Sequence, residues 1–484
     1  MAAHTPMNTP ANRIADWLVV AVLVLPWVHP WAPGPQSNTV PLLIGWGSLA
    51  SLLAIGRLPC ALELAQAWTC AALVSCAIGL LQYFGEAGAL GGWVHVPAYL
   101  GDAVGNLRQR NQLATLTSMG VVAVLWWHAH GLRAAQATWM IALLALGNAA
   151  TGSRTGLLQW LFLPVLLGLW QSAAPSRRPV WSWPVLLWGL SVYLAGSLAL
   201  PHALAAWRGT EISSAMARMG ELGGCGSRSV LWANVLHLIG QKPWTGWGWD
   251  ELKYAHYMAT YPGPRFCDIL GNAHNLPLHM AFAFGLPAAF VLLGLGLALV
   301  VRARPWRLPH PGSSLAWGVL AVIGLHSLLE YPLWYSPFQM ALVWSILLLW
   351  PSGRAALDRH HRGLQALGVG GLCLIALIAW DYQRMRQIYL PPVLRSTLWP
   401  EDPWPAARKT WFFGNAVRFA EVTSTLVTPD NASSMLDASL KVLHYSPEPR
   451  VIDKLIASAR LLGQTRLADA HQAQKQAVYG KSAD

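Results

Sequence analysis

The sequence predicts an all-α polytopic membrane protein with about eleven (10–13) transmembrane helices, a large helical periplasmic loop and a helical periplasmic tail. Two features of its composition support this fold class. Only 11% of the 484 residues are charged and 54% are hydrophobic, whereas about a quarter of an ordinary soluble domain is charged. The 28 tryptophans often stand at the ends of apolar runs, where indole rings favour the membrane interface.

The predicted spans follow from the apolar runs, because a transmembrane helix needs about 20 largely apolar residues. The first run lacks the cleavage site of a signal peptide, so we interpret it as the first span. The ninth and tenth runs are separated only at Tyr331-Pro332, which leaves open a break or a re-entrant turn. The eleven predicted spans are 14–30, 39–56, 65–84, 111–128, 134–150, 155–171, 181–200, 276–301, 314–330, 332–350 and 363–380.

The arginine distribution predicts the orientation, since cytoplasmic loops are enriched in Lys and Arg. The segments 31–40, 85–105 and 331–336 contain no Lys or Arg. With the N-terminus in the cytoplasm, these segments face the periplasm. The cytoplasmic segments then carry Arg13, Arg57, Arg133, Arg177, Arg178, Arg302, Arg304, Arg307, Arg354, Arg359 and Arg362. The formal charge of +12 is explained by this pattern, because no basic helix indicates nucleic-acid binding.

Four regions follow from this topology. Residues 1–200 form the N-terminal transmembrane helices, 201–275 a periplasmic loop that carries part of the active site, 276–380 the C-terminal transmembrane helices, and 381–484 a periplasmic helical tail. The tail ends in two predicted helices joined by a turn, which either resemble a tetratricopeptide unit or form a generic helical tail. The predicted location is the bacterial inner membrane, multi-pass, with the active site facing the periplasm.

Cysteine placement agrees with this map. Cys225 and Cys267 both fall in the predicted periplasmic loop, an oxidising compartment, and we expect them to form a disulfide. The other four cysteines lie in or beside predicted spans, where a thiol is usually a small apolar residue. No Cys/His spacing indicates a zinc site.

Five polar motifs fall on the predicted periplasmic side, where polar groups near a membrane are costly and usually functional or paired. They are GNLRQRNQLAT at 105–115, TGSRTG at 151–156, GSRSVLWANVLHLIGQKPWTGWGW at 226–249, GNAHNLPLH at 271–279 and HSLLEYPLWY at 326–335.

The arginines of these motifs suit a diphosphate ligand, because guanidinium groups stay charged and bind phosphate oxygens in pairs. Arg154 and Arg228 lie among small residues and are the predicted catalytic pair. Each arginine could instead anchor the chain at the interface or pair with an acid such as Asp102 or Glu330. The predicted substrate-binding residues are Arg108, Arg110, Asn111, Gln112, Arg265, Asn275, His326, Glu330 and Tyr331.

His274 is the predicted general base, because a neutral imidazole can accept a proton from an incoming hydroxyl. Asn275 would orient it or cap the following helix; a passive histidine in a capping loop is the alternative. His279 lies one turn deeper and is expected to be structural. His326 and Glu330 are four residues apart and should share a helix face, either as a structural pair or with Glu330 reaching the site.

Several chemistries have no sequence support. The chain lacks a P-loop, a dinucleotide fingerprint, an HExxH motif and a GxSxG elbow. Neighbouring acids that would hold a divalent metal are also absent from its predicted periplasmic face. We therefore expect no metal and no cofactor.

GNLRQRNQLAT and HSLLEYPLWY resemble the pilin-glycosylating type of bacterial protein O-oligosaccharyltransferases. TGSRTG, SRSVLW with the following KPWTGWGW, and AHNLPLH resemble the core shared with O-antigen ligases and O-antigen polymerases. The resemblance covers roughly residues 100–340. It implies transfer of a glycan from undecaprenyl diphosphate to a Ser or Thr hydroxyl of a pilin or periplasmic protein, without a metal ion. The tail of about a hundred residues is shorter than we expect for many protein-glycosylating members.

Two other functions stay open. An O-antigen ligase would transfer the glycan to lipid A-core during lipopolysaccharide assembly, and a polymerase would transfer it to another lipid-linked repeat. A transporter or flippase of lipid-linked sugars belongs to a different class; such proteins place polar groups near the bilayer midplane and often contain inverted repeats. The polar groups here gather at one face, and no repeated half is detectable, which favours an enzyme over a transporter or a membrane scaffold.

Overall fold

The computed structural model describes residues 10–173, 181–209, 224–308, 312–399 and 402–480. Within these ranges the secondary structure is helical, with no β-strand. One helix occupies each of the predicted runs except 276–301, which contains two, and most ends differ by a few residues from the prediction. The predicted all-α class is confirmed, whereas the number of spans stays a prediction.

The membrane-type helices of the first half begin at Pro10 and end at Arg208. Long apolar runs with few charged residues favour these helices, since each can satisfy its own backbone groups. The helix predicted at 181–200 continues to Arg208, into the region assigned to the loop. The seven helices are α1 (Pro10–Val28), α2 (Thr39–Ala54), α3 (Ala61–Tyr83), α4 (Arg110–Ala129), α5 (Ala134–Thr151), α6 (Arg154–Ala173) and α7 (Trp183–Arg208).

The described parts of the long loop and of the membrane region after it contain eight further helices. The apolar spacing of RSVLWANVLHLIGQ predicted a helix in the loop, and α8 confirms it. These helices are α8 (Arg228–Gln241), α9 (Leu252–Met258), α10 (Leu276–Phe284), α11 (Leu286–Ala303), α12 (Gly312–Ser327), α13 (Ser336–Leu349), α14 (Pro351–Arg359) and α15 (His361–Arg386).

In the described part of the tail, the four-residue helix Trp404–Ala407 is followed by four longer amphipathic helices, and the two predicted for the last part of the tail are confirmed by α18 and α19. The four are α16 (Gly414–Ser424), α17 (Ala432–Tyr445), α18 (Pro449–Leu461) and α19 (Thr465–Tyr479). Consecutive helices contact each other along this series. Their apolar faces, among them Val451, Leu455 and Ala468, are buried in a shared core.

The span predicted at 276–301 is wrong as a single helix. It is divided into α10 and α11 by Gly285, whose φ of 81° lies in the left-handed region. Because glycine adopts this region without the steric cost that other residues incur, the chain can turn there.

Four described helices are long and apolar enough to cross a membrane. A fifth is possible if α13 and Pro351–Leu357, which meet at 101°, form one broken span. Three apolar helices are shorter: Ile14–Val28, Thr39–Ala54 and Gly312–Ser327. The four long ones are Ala61–Tyr83, Trp183–Arg208, Leu286–Ala303 and His361–Tyr389.

The chain divides into two compact units. The first comprises Met1–Pro33, Ser37–Glu221 and Val300–Ile375, and its core is formed by α1–α7 with α12 and α13. The second comprises Gly34–Gln36, Leu222–Leu299 and Ala376–Asp484. Each unit has its own buried hydrophobic residues, and each contains its own set of the polar motifs.

Candidate active site

Asn111 joins the three polar motifs of the first unit. Its Nδ2 donates to Glu330 Oε1 (2.8 Å), and its Oδ1 accepts from Ser153 Oγ (2.6 Å). Asn111 lies in the first turn of α4, and Ser153 directly precedes α6. The GNLRQRNQLAT, TGSRTG and HSLLEYPLWY motifs, which are far apart in the sequence, therefore meet at one amide side chain.

TGSRTG forms a tight junction between α5 and α6. Ser153 Oγ accepts from Gly156 N (3.1 Å), which caps the start of α6. A methyl group on Gly156 would lie 3.0 Å from Ala114 Cβ of α4 and closer still to the Asn148 side chain. Gly156 thus allows the three helices to approach. This packing leaves Arg154 exposed as the first residue of α6.

Arg108 and Arg110 both contact groups of the protein itself. Arg108 is exposed, has a left-handed backbone (φ 62°) and donates from Nη2 to Pro30 O (2.7 Å). Arg110 forms a half-buried ion pair with Asp102. The pairing with Asp102 is the structural alternative considered for these arginines. Phosphate binding by Arg110 would require the guanidinium to be shared with this acid.

A buried polar network joins α4, α6 and α12. Thr115 Oγ1 and His326 Nδ1 are 2.9 Å apart, and Gln159 Nε2 donates to Thr115 Oγ1 (2.9 Å). All three side chains are fully buried. Such a network can fix the packing of helices in an apolar bundle.

The prediction that one helix carries His326 and Glu330 is corrected. α12 ends at Ser327, and Glu330 lies in the turn that follows, where its N–H donates to His326 O (2.8 Å). The end of the helix allows the Glu330 carboxylate to contact Asn111. In the same region Tyr331 stacks on Tyr335, and the side chain of Gln112 hydrogen-bonds Tyr335.

In the second unit, a loop is fixed against α8 at two points. Cys225 and Cys267 form a disulfide with a Cα–Cα distance of 5.2 Å. Asn234, buried within α8, donates to Pro264 O (2.9 Å) and accepts from Phe266 N (2.8 Å). The crosslink and the paired amide hydrogen bonds together set the path of the chain between α9 and α10.

Arg228 is the first residue of α8. Ser227 caps this helix by accepting from Val230 N (3.4 Å), and its Oγ lies 3.0 Å from Ser229 Oγ. Arg228 is half-buried. A helix N-terminus presents unpaired N–H groups and the positive end of the helix dipole, so an anion is favoured beside this guanidinium.

His274 precedes α10 with a left-handed backbone, φ 50°. Its N–H donates to Asn272 Oδ1 (2.9 Å), while Asn275 caps α10 by accepting from Leu278 N (3.0 Å). Trp232 Nε1 of α8 donates to the carbonyl of Ala273 (3.1 Å). The half-buried imidazole is thus placed by contacts on both sides of it in the chain.

His279 is buried and accepts at Nδ1 from Ala273 N (3.4 Å). Its ring also meets Trp249 edge to face, with centroids 5.6 Å apart. These contacts agree with a structural role.

The KPWTGWGW motif forms backbone hydrogen bonds with the end of α10, just before the break between α10 and α11. Trp247 N donates to Phe282 O (2.8 Å), and Gly248 N donates to Ala283 O (3.1 Å). A methyl group on Gly246 would lie 2.5 Å from Gly285 N. The motif therefore needs a residue without a side chain where the two backbones approach.

Arg265 stabilises the backbone around α9. It donates to Ala259 O (3.0 Å) and to His256 O, and its guanidinium carbon lies 5.3 Å from the Tyr261 ring centroid. Burial, together with the positive charge of Arg265, lowers the pKa of His256 to about 3. The neutral imidazole of His256 contacts Tyr261 Oη at 2.7 Å and Phe266 O at 3.2 Å. Substrate binding by Arg265 stays a prediction.

The predicted site residues divide between the units. Arg154 belongs to the first, together with Arg108, Arg110, Asn111, Gln112, His326, Glu330 and Tyr331; Arg228, Arg265, His274 and Asn275 belong to the second. Sequence analysis did not identify Asn234 or Gln159 as organising residues. Each is an amide flanked by apolar residues within its helix, and this was the available signal for both. Among the described residues, no group of three or more His, Cys, Asp and Glu could hold a metal ion.

Three family models match successive parts of the chain. Residues 103–128 match a protein glycosylation ligase model, residues 139–293 an O-antigen ligase model, and residues 314–484 the C-terminal part of a virulence factor membrane-bound polymerase. The general O-oligosaccharyltransferase of Acinetobacter baylyi is 24% identical over 310 residues, which cover 60% of this chain and 52% of the relative. The chain thus spans about half the length of the curated relative it matches.

These matches confirm the resemblance that the motifs indicated. The glycosylation ligase match contains GNLRQRNQLAT, and the O-antigen ligase match contains TGSRTG, SRSVLW and AHNLPLH. HSLLEYPLWY, which resembled the pilin-glycosylating type, falls within the polymerase match, as does the tail. The chain is therefore related to the group that comprises protein glycosylation ligases, O-antigen ligases and membrane-bound polymerases.

Proposed function

We propose that this chain, as a relative of the protein glycosylation ligases, transfers a glycan from undecaprenyl diphosphate to a Ser or Thr hydroxyl of a pilin or another periplasmic protein. The observation that carries the proposal is the placement of His274. A half-buried imidazole on a left-handed backbone is a sparsely populated arrangement, and such conformations cluster at active sites.

In the proposed reaction, His274 accepts the proton of the acceptor hydroxyl. The hydroxyl oxygen forms a bond to the anomeric carbon, and the bond from that carbon to the diphosphate oxygen breaks. The leaving diphosphate keeps the electron pair and gains negative charge. No metal ion takes part in this proposal, so protein cations must stabilise the charge.

Arg228 is our principal candidate for diphosphate stabilisation. Its position in the first turn of α8 combines a guanidinium with a helix N-terminus. Arg154 has a corresponding place in the first turn of α6, and its role, like the roles of Arg108 and Arg110, stays the prediction made from the sequence. Donors aimed at charge that develops in the transition state typically contribute a factor of about 10²–10³ each.

An O-antigen ligase is the second candidate, because residues 139–293 match that family model. The donor chemistry would be the same, and the acceptor would be a sugar of lipid A-core. The match at 103–128 and the similarity to a general O-oligosaccharyltransferase favour the protein acceptor.

An acceptor experiment distinguishes these functions. The chain is expressed in a bacterial host that lacks its own ligase, makes a defined undecaprenyl diphosphate glycan and carries a pilin. Mass spectrometry of the pilin and gel analysis of lipid A-core locate the transferred glycan. We expect modified pilin with the wild type and none with His274→Ala, at equal amounts of membrane-embedded protein.

Each other result has a definite meaning. Glycan on lipid A-core alone would identify an O-antigen ligase with the same chemistry. A longer lipid-linked glycan without transfer would indicate a polymerase, and movement of an unchanged donor across the membrane would indicate a transporter. Wild-type transfer by His274→Ala would exclude His274 as the base.

A further inference from the structure

A cavity of about 530 Å³ lies within the second unit, apart from the residues assigned above. Its volume falls in the range of small-molecule sites, about 300–1,000 Å³. It is formed by the loop helix α9, the chain after α15 and the tail helices. The walls include Lys253, Tyr389, Trp404, Phe419, Tyr445 and Arg450.

Aromatic rings with nearby cations form much of the wall. Lys253 Nζ lies 5.4 Å from the centroid of Tyr445, and the guanidinium carbon of Arg450 lies 4.7 Å from that of Phe419. Trp404 and Tyr445 are half-buried. Rings held in this way offer rigid apolar surfaces against which the C–H face of a sugar can stack.

Hydrogen-bonding groups complement the rings. Lys253 donates to Tyr445 O (3.2 Å) and lies 3.7 Å from an Asp250 carboxylate oxygen. An ammonium group has three donors, so Lys253 can also donate to a ligand oxygen. Glu448 accepts from Ser446 Oγ (2.9 Å) and Arg450 Nε (2.7 Å). A carboxylate has about four lone-pair positions, so it can accept further from hydroxyl groups.

We propose that this cavity binds sugars of the donor glycan beyond the one that reacts. The inference rests on the proposed function and adds a subsite to it. A peptide is disfavoured, because the walls are helices and loops with no strand edge in the described part of the unit. An amphipathic helix would need an apolar groove, whereas this cavity carries Lys253, Glu448 and Arg450 on its walls.

The test compares two donors, an undecaprenyl diphosphate disaccharide and the matching heptasaccharide, in the full-length protein. Lys253→Met and Trp404→Leu should lower kcat/KM for the heptasaccharide about tenfold, which corresponds to about 1.4 kcal/mol. Transfer of the disaccharide should fall less, because it has only one sugar beyond the one that reacts to place in the cavity. Trp404→Phe should restore most of the loss, and Lys441→Met, at an exposed tail position, is the matched control.

An unchanged preference for the heptasaccharide in both variants would overturn the inference. An equal loss with both donors would overturn it too, since that pattern indicates structural damage. A raised KM for the acceptor alone would assign the cavity to a peptide. If the wild type transfers neither donor, the proposed function fails; binding of a fluorescent free heptasaccharide, weakened by Trp404→Leu, then tests the cavity by itself.

Discussion

At the scale of single residues, the proposed base His274 has an unfavourable backbone conformation. A residue other than glycine at φ 50° is uncommon, and such backbone strain costs about 1–3 kcal/mol. The hydrogen bonds at Asn272, Ala273 and Asn275 hold this conformation. Because these contacts lie on both sides of His274, the imidazole can be replaced without removing what positions it.

The role of Arg228 yields a prediction that separates recognition of phosphate from simple charge. Arg228→Lys keeps the positive charge but loses the planar, paired donors of the guanidinium. We expect kcat/KM for glycan transfer to fall about 100-fold, with little change in thermal stability. The measurement is single-turnover transfer from a purified lipid-linked donor.

The control for Arg228 is Arg466→Lys, because Arg466 is exposed on the tail. Full activity of Arg228→Lys would show that this arginine only anchors the chain. A comparable fall for Arg466→Lys would show that the assay responds to general disturbance.

Asn234 and Arg265 show how far the sequence predicts a site. Residue type and neighbourhood indicated that Arg265 carries a functional charge, yet its donors are directed to backbone carbonyls. Asn234 lies within the motif at 226–249, but nothing in the motif singled out its amide, which fixes the loop at Pro264 and Phe266. Both roles depend on which backbone groups the fold brings near, which short-range sequence patterns do not encode.

At the scale of elements, the break at Gly285 links the KPWTGWGW motif to the helices that follow it. The apolar run predicted one span because its hydropathy is continuous, although Gly285 and Pro287 are residues that often end and begin helices. Gly285 lies against the carbonyl of Trp244, which is distant in sequence. Helix positions were thus predictable from hydropathy, whereas this break follows from a long-range backbone contact.

We predict that Gly285→Ala destabilises the second unit by about 1–3 kcal/mol. The added methyl group meets the Trp244 carbonyl, and φ 81° is unfavourable for alanine. Thermal unfolding of the detergent-solubilised protein measures the effect. Gly294→Ala is the matched control, because Gly294 lies within α11 with no atom near its added methyl group. Equal melting temperatures for the two variants would contradict the packing argument.

Asp381 of α15 connects this helix to the first part of the tail. Its fully buried carboxylate accepts from Thr410 Oγ1 (2.7 Å) and from the N–H groups of Trp411 and Phe412 (both 2.9 Å), and it pairs with Arg384. A buried charge needs this degree of compensation. The start of the tail is thereby fixed to the end of the last membrane-type helix.

At the scale of the whole molecule, distant motifs are gathered separately by two units. Asn111 connects three motifs in the first. In the second, α8 contacts the segment before His274 through Trp232, while the KPWTGWGW backbone binds α10. A sequence pattern predicts that polar residues share a membrane face, but the grouping depends on helix packing.

The final prediction concerns topology, because the proposed chemistry needs a periplasmic loop and tail. Positive-inside asymmetry places Arg57, Arg133 and Arg304 in the cytoplasm, and eleven spans then place the tail opposite them. Alkaline phosphatase fused after residue 244 or 426 should be active, since that enzyme folds only in the periplasm. Fusions after residue 57 or 133 should be inactive; fluorescent-protein fusions there supply the reciprocal control.

In the same cells, Cys225 and Cys267 should resist thiol labelling until reduced, because they form a disulfide. An inactive fusion at 426 beside an active one at 244 would imply an even number of spans and remove the tail, with its cavity, from any periplasmic reaction.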